Sequence, residues 1–231
     1  MGKPGKSGKS GKHNINIIVM KFKLLFTIIL ITSVNFVWAQ FPDIETEMDR
    51  KIKSFLEENA YSWRDMNIPL ADGKALYDII VANNYKSALE IGTSTGHSSI
   101  WIAWALSKTG GKLTTIEVDR NRHLQAKANF EQTGLADYID ARLGDAHAMV
   151  PALTGKFDFV FSDADKEWYK NYFISMDPKI AAGGCFVAHN IEQRSPGIRE
   201  FVDYIESLSN YKTTINRINR SEMSVSYKIK E

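Results

Sequence analysis

The chain of 231 residues has the length of one ordinary domain, and its 44% hydrophobic and 11% aromatic content excludes a wholly disordered protein. Its single cysteine, Cys185, excludes an intrachain disulfide scaffold, and a net charge of +2 argues against a nucleic-acid binder. That charge is unevenly placed: residues 1–39 hold six lysines and no acid, so residues 40–231, with 23 Lys+Arg against 27 Asp+Glu, carry −4.

Residues 1–12 are a Gly/Lys/Ser/Pro low-complexity stretch, too polar to bury anything. Met20-Lys21-Phe22-Lys23 then opens an apolar run that continues through Ala39. A short basic segment, an apolar core and a small residue before Gln40 form the pattern of a secretory signal. On this reading Met20 is the functional start, and residues 1–19 are an extension of unassigned origin. An uncleaved membrane anchor fits the same segment, because its apolar length lies near the lower limit of about 17 residues for spanning. Lys6 breaks the myristoylation pattern. The expected location is therefore exported (periplasmic or secreted) or anchored through residues 20–39, and cytoplasmic if the segment is neither.

Residues 40–231 read as one domain. A polar amphipathic helix is predicted over 43–60, with Ile44, Met48, Ile52 and Phe55 on one face. A second helix follows over 70–83, then a short buried strand over 86–91 that ends at a glycine turn. An apolar helix (96–107), a strand (113–118), a helix stopped by Gly134 (120–133) and a strand (138–143) come next. A strand (157–161), a helix (166–176), a strand after Gly183-Gly184 (184–188) and a helix (198–208) follow. Two strands, 212–218 and 223–229, close the chain, and Cys185 reads as a buried strand residue. Five strands separated by helices predict an α/β, Rossmann-like, doubly wound sheet, mostly parallel, with helices on both faces. The closing pair adds an antiparallel C-terminal edge and brings the sheet to seven strands.

Three strand ends carry chemistry. Gly92-Thr93-Ser94-Thr95-Gly96 joins the first strand to a helix. Glycine lets a ligand approach the backbone, and the helix N-terminus offers unpaired N–H groups. The spacing is G-x-x-x-G rather than G-x-G-x-x-G, and no Walker lysine is present, so dinucleotide and phosphate-loop readings are disfavoured. Glu117 ends the second strand, where a carboxylate accepts the two hydroxyls of a ribose; a helix-cap role suits Asp119 better. Gly144-Asp145-Ala146 follows the third strand, at the lip where an adenine would lie, and by itself is a turn with a helix cap.

Three blocks make the pattern specific: Met66-Asn67-Ile68-Pro69-Leu70-Ala71-Asp72-Gly73, Glu90-Ile91-Gly92-x-x-Thr95-Gly96-x-Ser98, and Asp163-Ala164-Asp165-Lys166 followed by Trp168-Tyr169. Together they resemble the small cation-dependent O-methyltransferases, the group of the catechol and caffeoyl-CoA enzymes, from about residue 43 to the C-terminus. The resemblance implies S-adenosyl-L-methionine as cofactor and metal-assisted methyl transfer to a hydroxyl of a small, phenolic or catechol-like acceptor.

By the same resemblance Glu90 shapes the methionine end of the cofactor, Gly92 and Thr93 offer it backbone, and Ser98 binds its carboxylate. Glu117 holds the ribose, Ala146 and Asp145 lie at the adenine, and Asn67 and Ile68 close over the cofactor. Asp163 is expected at both cofactor and metal, and Lys166 is the general base. The metal set would be Asp163, His189 and Asn190, with His189 standing where the family has an aspartate. Oxygen ligands suit magnesium, whereas an imidazole shifts the preference toward zinc, manganese or iron. Three outcomes stay open: a transition-metal site, a weak or absent metal with His189 as base, or a site without catalysis. Asp165 and Glu192 are spare carboxylates nearby. Met66, Trp63, Trp168, Tyr169 and residues 191–197 are expected to line the acceptor entrance. The partners implied are a small-molecule acceptor, no nucleic acid, a membrane only through the N-terminal segment, and a second copy in a homodimer. The competing function is a non-catalytic cofactor- or ligand-binding protein with a degenerate metal site.

Overall fold

The computed structural model describes residues 1–2, 41–60, 66–193, 195–218 and 221–229. The signal or anchor expected over residues 20–39, and Trp63, lie outside these residues. No helix among the described residues is long and apolar enough to cross a membrane.

Helix α1 (Glu47–Glu58) starts where its cap forms. The Thr46 hydroxyl accepts from the Asp49 N–H, and the Asp49 carboxylate accepts from the Thr46 N–H at 2.8 Å. The same carboxylate is buried against Trp104 and Lys108, so one residue both starts α1 and ties it to the next layer. Burial opposes ionisation of Asp49, but the bonds from Lys108, Trp104 and Thr46 outweigh it and hold the carboxyl well below the usual range.

Helix α2 (Leu70–Asn83) begins after Pro69 and ends at Asn84 in the left-handed conformation. Strand β1 (Ser87–Ile91), helix α3 (His97–Thr109), strand β2 (Lys112–Glu117), helix α4 (Arg120–Thr133) and strand β3 (Ile139–Leu143) follow. Residues 97–106 of α3 are buried throughout, as befits a helix that is apolar on all sides. A short helix α5 (Ala146–Ala152) is not apparent in the sequence pattern. It has seven residues, contains Pro151, and is started by the Asp145 carboxylate accepting from the His147 N–H.

Strand β4 (Phe157–Ser162) leads to a 3-10 turn at Lys166–Trp168 and helix α6 (Tyr169–Met176), where one continuous helix was expected. Strand β5 (Ile180–His189) starts before the glycine pair rather than after it. Gly183, at φ +80°, sits inside the strand, where the pairing with β4 shifts register. Helix α7 (Pro196–Glu206) and strands β6 (Tyr211–Ile218) and β7 (Ser221–Lys228) close the chain.

The described strands form one seven-stranded sheet in the order β3-β2-β1-β4-β5-β7-β6. β1 to β5 pair in parallel, and β7 runs antiparallel to both β5 and β6. The sheet is therefore Rossmann-like and mostly parallel, as expected, and the antiparallel edge is made by β7 with β6 outside it. That insertion sets His189, the last residue of β5, opposite Met223 and close to the start of β7.

One face of the sheet buries Leu89, Ile91, Val160 and Phe186 under α6 and α7, where the rings of Phe173 and Phe186 meet at 5.2 Å. Each such side chain contributes on the order of 1.5–3 kcal/mol by leaving water. Cys185 is buried, and burial pushes its thiol up to about 12, which leaves it inert.

Candidate active site

The chain leaves β1 toward β2 on one side, while β4 pairs with β1 on the other. This reversal opens a crevice outside the C-terminal ends of the strands. Gly92 forms its floor. It has φ +99°, and a Cβ there would lie 2.7 Å from the Asp163 carbonyl oxygen, so only glycine lets the ends of β1 and β4 approach.

Two cavities occupy the crevice. The first, of 370 Å³, is reached from Gly92, Glu117, Asp145, Ala146 and Asp163. The second, of 860 Å³, is reached from Asn67, Asp163, Lys166, His189 and Asn190. Met66, Asp163 and Ala164 line both. Backbone strain collects at the same place: Met66 (φ +49°), Ser94 (φ +49°) and Asn190 (φ +57°) are left-handed without being glycine. Each such conformation costs about 1–3 kcal/mol and has to be held by its surroundings.

In the first cavity the Glu117 carboxylate accepts the N–H of Ser94 at 2.7 Å and the N–H of Asp119 at 2.9 Å. Those bonds fix its orientation and leave lone pairs for a hydroxylated ligand. Asp145 and Ala146 lie opposite, at the start of α5. The His147 ring stacks on Trp168 at 3.9 Å, and its Nε2 lies 3.3 Å from Asp165.

Four of the residues expected at the cofactor do not line a cavity but lie just beneath it. Glu90 is fully buried, accepts from the hydroxyls of Ser99 and Thr115, and is pushed up to about 7 by burial against those bonds. The hydroxyl of Thr93 faces Thr115 in the sheet at 2.5 Å. Ser98 is buried in the first turn of α3. The Ile68 carbonyl bonds His97 Nδ1 at 2.8 Å, while Asn67 Nδ2 donates to Thr95 at 3.0 Å. Residues 67–68 are thereby clamped onto the glycine turn.

In the second cavity Lys166 Nζ contacts Asp163 Oδ1 at 2.5 Å and the Tyr169 hydroxyl at 2.7 Å. The Tyr169 hydroxyl donates in turn to the His189 carbonyl at 2.9 Å. His189 is held on both sides: Nε2 lies 2.8 Å from Asp72 and Nδ1 lies 3.2 Å from Asp163. Asp72 also accepts from the Ser221 hydroxyl at 2.5 Å. Burial disfavours the charged ring, but the two carboxylates outweigh it and raise His189 to about 9. Burial likewise opposes ionisation of Asp163, yet His189 and Lys166 prevail and hold that carboxyl below its usual range.

The aromatic entrance takes a different form from the one expected. Tyr169 is fully buried against Phe201, and Trp168 turns toward His147 at the first cavity. Among the described residues no Trp, Tyr or Phe lines the second cavity. The sequence also did not single out Ser94, His147 or Tyr172 at the first cavity, Ser221 at the second, or the buried Asp72 behind His189. His147 was within reach, because it directly follows the Asp145-Ala146 turn.

Residues 43–194 match the family model described as O-methyltransferase. The chain belongs to the O-methyltransferase family. It is 39% identical over 105 residues to the catechol O-methyltransferase of Niastella koreensis, covering 44% of this chain and 47% of that one. It is 32% identical over 129 residues to caffeoyl-CoA O-methyltransferase 1 of Eucalyptus globulus, covering 54% and 52%. The chain thus spans about half the length of the curated relatives it matches. Among solved structures it is similar to the O-methyltransferase TomG of Streptomyces achromogenes in complex with SAM. The TM-score is 0.71 at 25% identity, over 86% of this chain and 96% of that one.

The first cavity of this O-methyltransferase family member fits a nucleoside-bearing cofactor. It combines a fixed acidic acceptor, a ring stack and exposed backbone, in a volume within the usual range of about 300–1,000 Å³ for ligand pockets. The second does not fit a divalent cation. Both ring nitrogens of His189 face carboxylates, both oxygens of Asp163 already accept from Lys166 or His189, and Asn190 adds one amide. No cluster of three His, Cys, Asp or Glu able to hold a metal exists among the described residues.

Proposed function

We propose that the protein transfers a methyl group from S-adenosylmethionine to a hydroxyl of a small acceptor. The observation that carries this reading is the junction of the two cavities at Met66, Asp163 and Ala164. On this reading the first cavity takes the cofactor and the second the acceptor, across one shared wall. The SAM complex of TomG and the relatives named for catechol and caffeoyl-CoA support it.

When bound, the cofactor supplies an electrophilic methyl group. The chain's residues then bind and orient. Glu117 accepts from the ribose hydroxyls, Asp145, Ala146 and His147 flank the base, and Gly92 gives close access to the backbone. Positioning two reactants across one wall supplies a large share of such a rate gain. On the acceptor side Lys166 is fixed by Asp163 and Tyr169. In that ion pair Lys166 is a donor and orients the acceptor oxygen. The acceptor hydroxyl gives up its proton to solvent as its oxygen attacks, while Lys166 holds that oxygen in line. Because Trp168 and Tyr169 do not line the acceptor cavity, the catechol-type acceptor rests on the relatives alone.

One observation favours a second reading, ligand binding without turnover: the Asp163 carboxylate is already taken up by Lys166 and His189. Calorimetry with S-adenosylmethionine and S-adenosylhomocysteine, followed by mass analysis of products from a panel of hydroxylated acceptors, separates the two. Absence of cofactor binding up to about 1 mM overturns both. Binding without a methylated product across the panel selects the second. Residues 20–39 are proposed as an export signal or anchor; Gln40 as the first residue of protein from its native host supports export.

A further inference from the structure

We propose that His189 is a built-in cation standing where relatives of this fold would hold a divalent metal, so that this chain binds no metal there. The inference rests on the methyltransferase reading of the crevice but not on turnover.

The argument is a count of donors and acceptors. An ionised carboxylate only accepts hydrogen bonds. His189 Nε2 lies 2.8 Å from Asp72, and Nδ1 lies 3.2 Å from Asp163. Each nitrogen must therefore carry a hydrogen. A ring with both hydrogens is positively charged and has no lone pair to give a metal. Asp163 is equally committed, with Oδ1 on Lys166 and Oδ2 on His189. A metal ion arriving at Asp163 would meet the positive charges of Lys166 and His189 beside that carboxylate. What remains is the Asn190 amide and the Glu192 carboxylate, whose Oε1 lies 3.5 Å from the amide nitrogen and whose Oε2 already accepts the Glu222 N–H at 2.9 Å. Magnesium needs six oxygens in near-octahedral array, and this set cannot approach that.

Asp72 supplies the second argument. It is fully buried in α2, and it meets the ring from the side opposite Asp163. A buried carboxylate needs a cationic or hydrogen-bonding partner. Asp72 finds both, in His189 and in the Ser221 hydroxyl. A histidine serving as a metal ligand through one nitrogen would use only one of these two carboxylates. The pairing of Asp72 with Asp163 across one ring is what a permanent imidazolium requires.

The test reads metal, not turnover. Wild-type protein purified without chelator is assayed for metal content, then titrated with MgCl2 and MnCl2 by calorimetry, with the thermal midpoint followed in parallel. Metal content well below one equivalent is expected, with no saturable heat and no shift in midpoint. In His189→Asp three aspartates and Asn190 converge, and its midpoint is expected to rise with Mg2+ or Mn2+. One retained equivalent of metal, or saturable Mn2+ binding lost in Asp163→Asn, overturns the proposal. So does a folded His189→Asp protein that gains no metal response. If His189→Asp does not fold, the wild-type titration decides alone. Cofactor calorimetry on the same metal-free samples reports the methyltransferase reading separately, so each can fail without the other.

Discussion

The two cavities share a wall and are built in opposite ways. The first is assembled from short segments, each at the end of its own strand: Gly92 after β1, Glu117 at the end of β2, Asp145 after β3. Its key carboxylate is oriented by backbone N–H groups two and 23 residues away in sequence. The second is held by a buried ionic cluster that joins α2, β5 and the start of β7, with Asp72 117 residues from His189 and 149 from Ser221. The contrast teaches a division of labour. A binding pocket on strand ends can change without unsettling the fold, whereas a buried ion cluster binds its site and its stability together.

The strongest way to break that contrast is to remove Asp72. Asp72→Ala leaves a buried ring with one carboxylate instead of two and is expected to cost about 3–5 kcal/mol of unfolding free energy. Urea denaturation measures it, and cofactor binding to the folded fraction should persist, since Asp72 does not line the first cavity. A loss under about 1 kcal/mol would mean that the cluster is not integral to the fold.

The same cluster has a pH signature. The two carboxylates raise His189 from its ordinary value of 6.5 to about 9 in the folded protein. The ring therefore binds its proton more tightly in the folded state. Its contribution is fully present below about pH 6.5 and is lost as the pH rises through about 9, a fall of about 3 kcal/mol. Glu90, raised to about 7, adds a separate loss in the same direction between about pH 4.5 and 7. Urea midpoints of the wild type should drop between pH 7 and 10, and His189→Gln should remove that drop while keeping the lower one. An unchanged upper limb in His189→Gln would assign it to other groups.

Glu117→Ala probes the other side of the contrast. It removes the acceptor of two backbone N–H groups and of the proposed ribose diol. Cofactor affinity should fall by about 1.5–3 kcal/mol, the worth of hydrogen bonds to a charged group. Calorimetry reads this directly, and the urea midpoint should move far less than in Asp72→Ala. A large stability loss with unchanged affinity would reverse the division of labour.

The sheet and the first cavity were legible in the sequence because their signals are local. The short strand pattern at 88–91, the glycine spacing and the acid ending β2 each lie within a few residues of the element they announce. The second cavity was legible only in its residue types. Lys166 and Asp163 are three residues apart on one turn, but Asp72 reads from sequence as an unremarkable acid near the start of a helix. No spacing rule connects it to His189, so the choice between ligand, base and fixed cation could not be made from the chain alone. Trp168 and Tyr169 show the same limit. Their aromatic character was visible, but the 3-10 turn at Lys166–Trp168 rotates one toward His147 and the other into the core.

Trp168 therefore belongs to the binding side of the comparison, and its removal is the mildest test. The His147–Trp168 stack at 3.9 Å, with ring planes 17° apart, holds His147 against the first cavity. Aromatic pairs of this kind contribute about 0.5–1.5 kcal/mol beyond the area they bury. Trp168→Ala frees one face of the His147 ring, which keeps its contacts with Asp165 at 3.3 Å, Asp145 at 3.7 Å and Tyr172. Cofactor affinity should weaken by no more than about tenfold, the equivalent of about 1.4 kcal/mol. The apparent affinity for the acceptor, measured at saturating cofactor, should be unchanged, because Trp168 does not line the second cavity. A selective loss of acceptor affinity would return Trp168 to the acceptor entrance and make the shared wall wider than Met66, Asp163 and Ala164.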